Sequence, residues 1–331
     1  FLQPPKGHLM KSNRKSNRTR AILQSISVAI IAFGVLGCDQ APAKSSGPVA
    51  LENRTPKVLL IGIDGVRPDV LAEVSTPNID ALKEKGAFTD RTRTTVPSVS
   101  GPSWSSMLTG VWPDKHGVID NQFDGRRYDK YPDFLTRLEF LQPEMSTFAA
   151  VDWLPLMQID GGAPTISPTV DLRISINGYV TGWAEGDLQV TSAAVSHLNE
   201  ADPDALFVYL GNPDETSHQH NSIGAEYREA IALSDYHVGL LVDAIQARKT
   251  FHEENWLILI STDHGRRADG GHGGLSAIEM TTFILASGPA VQIGSVEQDT
   301  FIVDVAVTAL THLGITPDPA WELDGRAVGL R

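Results

Sequence analysis

Three aspartates, Asp64, Asp214 and Asp263, each follow a run of apolar residues, and histidines stand close behind two of them: His218 four residues past Asp214, and His264 next to Asp263. A further histidine, His272, sits in the glycine-rich stretch "DGGHGG". Mixed carboxylate and imidazole ligands suit zinc or a similar transition ion, whereas calcium and magnesium take oxygen cages. Six such groups are too many for one catalytic zinc. Two cations, each held by about three protein groups with a position left open, account for all of them. Singly the motifs are weak, because Asp-Gly after a strand is commonly a turn and "DHG" a cap or hydrogen-bonded loop. Their combination carries the reading. His220 and Asp90 are rivals without the right spacing, and His116, His237 and His312 read as structural or surface histidines.

A second candidate chemistry lies in "TVPSVSGPSWSSMLTG", residues 95–110, which crowds hydroxyls around a Gly-Pro and ends at Gly110. A serine hydroxyl is a poor nucleophile at neutral pH unless a base or a metal ion activates it. Ser100 precedes a predicted helix over 102–108, where backbone N–H groups favour an anion. Its bland alternative is a helix N-cap.

These groups need a scaffold. "KVLLIGI" (57–63), "DALFVYL" (204–210) and "WLILIS" (256–261) read as buried parallel strands, with "TFAAV" (147–151) and "TTFILA" (281–286) as weaker candidates. Asp64, Asp214 and Asp263 then follow the carboxyl ends of three strands, where ligands bind in open parallel sheets. "TPNIDALKEKG" predicts a helix from its Thr76 cap and Pro77 to Gly86, and Tyr227, Ile231, Val238, Leu241 and Ile245 recur at helical spacing. The expected fold is α/β, a mostly parallel central sheet with helices on both faces.

Residues 1–37 carry six Lys or Arg and no acid, then the apolar "AILQSISVAIIAFGVLGC". That pattern predicts a signal peptide with an upstream extension before Met10. Val35-Leu36-Gly37-Cys38 resembles a bacterial lipobox, which implies an exported lipoprotein anchored through Cys38 and facing the periplasm or the cell surface. The alternatives are a buried core cysteine and an uncleaved anchor helix. Residues 38–56 read as a linker and 57–331 as the catalytic domain. A single cysteine excludes an intrachain disulfide. Without the six leader charges, 21 basic residues face 40 acidic ones, a net charge near −19. Such a surface repels phosphate backbones, so nucleic-acid binding is not expected.

Taken in order, "LLIGIDGVRPDVL", "LTGVWPDKHGVIDN", "NPDETSHQH", "TDHG" and "GGHGG" resemble the alkaline phosphatase superfamily, most closely its type I phosphodiesterase/nucleotide pyrophosphatase branch, over residues 57 to about 330. The resemblance implies two zinc ions, one on Asp214, His218 and His272 and the other on Asp64, Asp263 and His264. It implies Ser100, ten residues before Gly110, as the nucleophile and a ligand of the second ion, with Ser103 and Asn121 toward the substrate. The implied activity is hydrolysis of phosphodiesters or phosphomonoesters through a phosphoserine. Departures are Ser100 in place of the usual Thr, Gly101 in place of an aromatic, and Ser103 in place of an Asn. The sulfatases of the same superfamily match Ser and Pro of "SGPSW", but Trp104 stands where their pattern has Arg. Sulfuric ester hydrolysis is the second reading, and a catalytically inactive metal-binding lipoprotein is the third. A small cap is expected between roughly 121 and 201, where Phe123, Trp153, Tyr179 and Trp183 either shape a leaving-group pocket or pack a minor core.

Overall fold

The computed structural model describes residues 49–158 and 163–331. The leader and the Cys38 anchor lie outside the described residues. Eight strands, β1 (Thr55–Ile63), β2 (Gly86–Arg93), β3 (Thr147–Val151), β4 (Leu172–Ser175), β5 (Ala205–Leu210), β6 (Glu254–Ser261), β7 (Thr281–Ser287) and β8 (Gly294–Ser295), form one sheet in the order β4-β3-β5-β1-β6-β7-β2-β8. All neighbours are parallel except at β7, which runs antiparallel to both β6 and β2. The linker reading overshoots slightly, since β1 already begins at Thr55.

Alternation along the strands builds two cores. Val58 and Leu60 of β1, Phe207 and Tyr209 of β5, and Leu257 and Leu259 of β6 point to one face. There they meet α3 (Ser100–Thr109), α5 (Phe134–Leu141) and α11 (Asp304–His312). Leu59, Ile61, Leu206, Val208, Ile258 and Ile260 point to the other face, covered by α1 (Pro68–Leu71), α2 (Pro77–Glu84), α7 (Trp183–Glu200) and α9 (Ala225–Gln246). With both faces covered, the central strands read as unbroken apolar runs. The remaining helices, α4 (Pro113–His116), α6 (Gly178–Thr181), α8 (Asn212–His220) and α10 (Ala277–Met280), lie in the connections.

The "DETSHQH" stretch forms the body of α8, which Pro213 opens and Asn221 ends in the left-handed conformation. The segment 121–201, expected to contain a small cap, also supplies β3 and β4 to the sheet and α5 and α7 to its faces. From this segment Asn121, Trp153, Tyr179 and Trp183 reach the carboxyl edge of the sheet. The register across the centre pairs Ile63 with Leu210 and Gly62 with Ser261, so the chain leaves β1, β5 and β6 side by side.

Candidate active site

That shared edge gathers the acidic and imidazole groups. Atoms of Asp64, Asp263 and His264 lie within 4.8 Å of one another, and so do atoms of Asp214, His264 and His272. His264 Nε2 is 3.3 Å from Asp263 Oδ2, 3.5 Å from Asp64 Oδ1 and 3.9 Å from Asp214 Oδ1, which places it between the two groups. His218 joins the second group: on α8 it is one turn past Asp214, its Nε2 3.3 Å from Asp214 Oδ2 and 3.0 Å from His272 Nε2. All six residues singled out by their spacing therefore converge. His220, on the same helix, is not among the residues lining the cleft.

The surroundings prepare these atoms for cations. Asp64 Oδ2 accepts hydrogen bonds from Trp104 Nε1 (2.9 Å) and the Tyr209 hydroxyl (2.5 Å), which leaves Oδ1 buried without a partner. Asp263 Oδ1 accepts the Gly65 N–H, and its Oδ2 is likewise orphaned. Two buried carboxylate oxygens without donors, facing one imidazole, are what a bound cation would satisfy. His264 Nδ1 is 3.0 Å from the Gly265 carbonyl and His272 Nδ1 2.9 Å from the Ser98 carbonyl. Those carbonyls fix the proton on Nδ1 and turn each Nε2 toward the cluster, as in outer-shell support of metal-binding histidines. Burial lowers the pKa of His264, and burial with the neighbouring His264 pushes His272 down to about 2, so both rings stay neutral.

Ser100 opens α3 with its Oγ 3.3 Å from His264 Nε2. Val99, not Ser100, holds the N-cap position, and no cap hydrogen bond forms. Asn121 reaches the same helix end, where its Oδ1 accepts the Gly101 N–H at 2.7 Å. A Cβ at Gly101 would stand 2.4 Å from the Asp120 carbonyl, so the glycine after Ser100 is what lets Asn121 approach. Ser103 does not reach the cleft. It is buried one turn into α3 and its hydroxyl accepts from Thr94, which corrects its expected contact with substrate.

A cleft of about 310 Å³ opens over this cluster, lined on one side by Ser100 and Asn121 and on the other by Trp153, Tyr179, Trp183 and Glu215. Three of the four aromatics from the expected cap segment thus wall the site, and Tyr179 stands edge-on to Trp183 at 4.8 Å. The fourth, Phe123, packs beneath against Trp153 in the core. Burial raises the pKa of Glu215.

Sequence reasoning missed three supports. Trp104, noted only as an absent Arg, is fully buried against Gly62 and holds Asp64. Tyr209 ends β5 with a hydroxyl that the buried run gave no reason to use. Arg266, behind "TDHG", is buried and clasps Asp214, the Asp214 and Gly270 carbonyls and the Gly65 carbonyl. Gly65 permits that clasp: its φ is +64°, and a Cβ there would lie 2.2 Å from the Arg266 guanidinium. A fully buried arginine beside a motif is invisible to patterning, because charge normally signals surface.

A mostly parallel sheet carrying paired Asp/His clusters and a helix-opening serine at its carboxyl edge defines an alkaline phosphatase-like α/β protein. Among solved structures, a phosphonate monoester hydrolase of Agrobacterium radiobacter superposes with TM-score 0.65 over 82% of this chain and 76% of its own, at 17% identity. Murine ectonucleotide pyrophosphatase/phosphodiesterase 5 gives TM-score 0.61 over 80% and 96%, at 16% identity. Residues 58–269 match the family model of the type I phosphodiesterase/nucleotide pyrophosphatases, and the chain belongs to that family. Curated relatives include ectonucleotide pyrophosphatase/phosphodiesterase C27A7.3 of Caenorhabditis elegans, 26% identical over 76% of this chain and 34% of its own length. Family member 7 of Rattus norvegicus is 23% identical over 74% of this chain and 55% of its own. The matches thus span roughly a third to a half of these relatives. No helix among the described residues is long and apolar enough to cross a membrane.

Proposed function

We propose that this protein is a metal-dependent hydrolase of phosphate esters that works through a covalent phosphoserine on Ser100. The observation that carries the reading is Ser100 Oγ at the head of α3, 3.3 Å from His264 Nε2 and beside both ligand groups. Asp64, Asp263 and His264 would hold one zinc or similar ion, and Asp214, His218 and His272 the other. When bound, the ions supply positive charge that favours the Ser100 alkoxide and offsets charge on the departing oxygen. Ser100 Oγ gives up its proton to water and forms a bond to phosphorus as the bond to the leaving-group oxygen breaks, and the leaving oxygen takes up a proton from solvent. Water then adds to phosphorus, the bond to Ser100 breaks, and the serine oxygen regains a proton. The Asn121 side chain, its Oδ1 held by the Gly101 N–H, turns its amide toward the phosphoryl oxygens and orients them. Tyr209 and Trp104 keep the free oxygen of Asp64 aimed at the cluster.

Trp104 favours phosphate over sulfate chemistry. Where a sulfatase pattern has Arg, this side chain is buried and committed to Asp64, so the sulfatase reading ranks second. No Lys or Arg lines the cleft among the described residues, so no side-chain cation there neutralises the second charge of a monoester dianion. Diesters should therefore be accepted at least as well as monoesters. Relatives carry nucleotide pyrophosphatase names, and murine family member 5 has been solved with AMP. Here Gly101 cannot stack on a base, and the aromatic wall is supplied by Trp153, Tyr179 and Trp183 instead. Rates on bis-p-nitrophenyl phosphate, p-nitrophenyl phosphate and p-nitrophenyl sulfate, before and after chelation and zinc return, test the proposal. A sulfate ester as the fastest substrate, or formylglycine at position 100, overturns it for the sulfatase. Full metal loading without turnover of any ester overturns it for the inactive binding protein. We also propose the exported, Cys38-anchored lipoprotein, which mass analysis of the mature N-terminus tests.

A further inference from the structure

Behind the aromatic wall lies a second acidic pair that the mechanism above does not use. Asp152 follows β3 and Asp187 sits in the first turns of α7. Both are buried and converge on Gly211, whose N–H is accepted by Asp187 Oδ1 and where a Cβ would stand 3.0 Å from Asp152 Oδ1. Among the described residues, no N–H or hydroxyl reaches either oxygen of Asp152 or Oδ2 of Asp187. Two buried carboxylates that converge on one residue, with three of their four oxygens lacking a donor, are relieved by a proton held between them. The remaining oxygen, Asp187 Oδ1, accepts the N–H groups of Gly211 (2.8 Å) and Asn212 (3.3 Å). Those two amides are the entry to α8, the helix that carries Asp214 and His218. Packing is tight around the joint: a Cβ at Gly186 would stand 2.7 Å from Asp152 Oδ2, and one at Gly211 3.0 Å from Asp152 Oδ1.

We propose that Asp152 and Asp187 form a carboxyl pair which holds one proton and thereby anchors the start of α8, so that loss of this proton loosens the helix bearing two metal-site residues and sets an alkaline limit on activity. The two are positioning residues, since neither lines the cleft. The other titratable groups acting on the pair are Asp64 at the end of β1 and Tyr209 at the end of β5, neither of them a cation. Burial raises Asp187 to about 7, and burial with the Asp187 charge holds Asp152 well above the carboxylate range. An acid whose folded-state pKa exceeds its unfolded value contributes stability at low pH and loses it as pH rises through the folded value. Here the shared proton, and the anchoring it provides, is therefore lost as pH rises.

The inference rests on the hydrolase reading only for its kinetic readout, and a second readout is independent of turnover. In the zinc-loaded protein, Asp152→Asn replaces the proton by a permanent N–H donor. It should keep kcat/KM at pH 7 within about threefold and move the alkaline limb of kcat/KM upward by about one pH unit or more. Asp152→Ala should lower kcat/KM on the order of tenfold and loosen the ion at His218. Hydrogen exchange of the peptide spanning 205–220, corrected for intrinsic rates, should lose protection between pH 7 and 10 in the native chain but not in Asp152→Asn. An alkaline limb and exchange profile identical in the native and Asn forms overturn the proposal, even where Asp152→Ala fails to fold. Absence of any esterase activity with the exchange difference intact refutes the hydrolase reading and keeps the carboxyl pair.

Discussion

The two ligand groups at the sheet edge differ in how they are held. Asp64, Asp263 and His264 are fully buried, grow directly from strand ends, and are fixed by Trp104, Tyr209 and the Gly65 amide. Asp214, His218 and His272 come from a helix and a glycine-rich loop, and the His218 side chain is 40% exposed. The buried group is rigid because β-strand register places its backbone and every outer oxygen has a donor. The open group depends on the orientation of α8, set by contacts at its base. We infer that the first serves the nucleophile, 3.3 Å from Ser100, and that the second faces the leaving group and solvent.

The sharpest test removes the nucleophile that both groups serve. Ser100→Ala should lower kcat/KM by about 10³-fold or more with metal content and far-ultraviolet dichroism unchanged. Near-native rates would refute the assignment. The next contrast is between the groups. Asp263→Ala should lose one ion and about a hundredfold or more in kcat/KM, unrecovered by added zinc. His218→Ala should weaken one ion and be largely restored by excess zinc. Chelation of the native protein should accordingly be biphasic, the open group emptying first; a single phase, or equal loss of both ions in either variant, would show that the groups are not distinct. Trp104→Phe keeps the packing but removes the donor to Asp64, and about a tenfold loss in kcat/KM is expected, with reduced affinity at the buried group. Smallest, His220→Ala should change rate and zinc content by no more than about twofold. A lost ion there would mean that the register of α8 has been misassigned.

The six proposed ligand residues and Ser100 stand out in the sequence because their types are unusual beside buried runs and their spacing is local. His218 lies one helical turn from Asp214, and His264 adjoins Asp263. The central strands were legible for the same reason, since "KVLLIGI" and "WLILIS" cannot be exposed. β2 was not, because "GAFTDRTR" alternates only weakly and gains its place by pairing with β7. Ser103 is placed toward substrate only by the family resemblance, in which it stands for an Asn. With α3 starting at Ser100, the residue one turn on is carried inward to Thr94.

Local order in the chain, apolar runs ending in Asp and His at short intervals, determined the sheet, its functional edge and the chemistry of the ligands. Tertiary structure alone decided which oxygens stay free. Trp104, Tyr209, Arg266 and the pair Asp152 and Asp187 are separated by tens of residues or more from the groups they hold, and each looks like an ordinary core or surface residue in isolation. Their effect arises only when burial removes water, because a hydrogen bond or a shared proton then becomes the sole way to satisfy a charge.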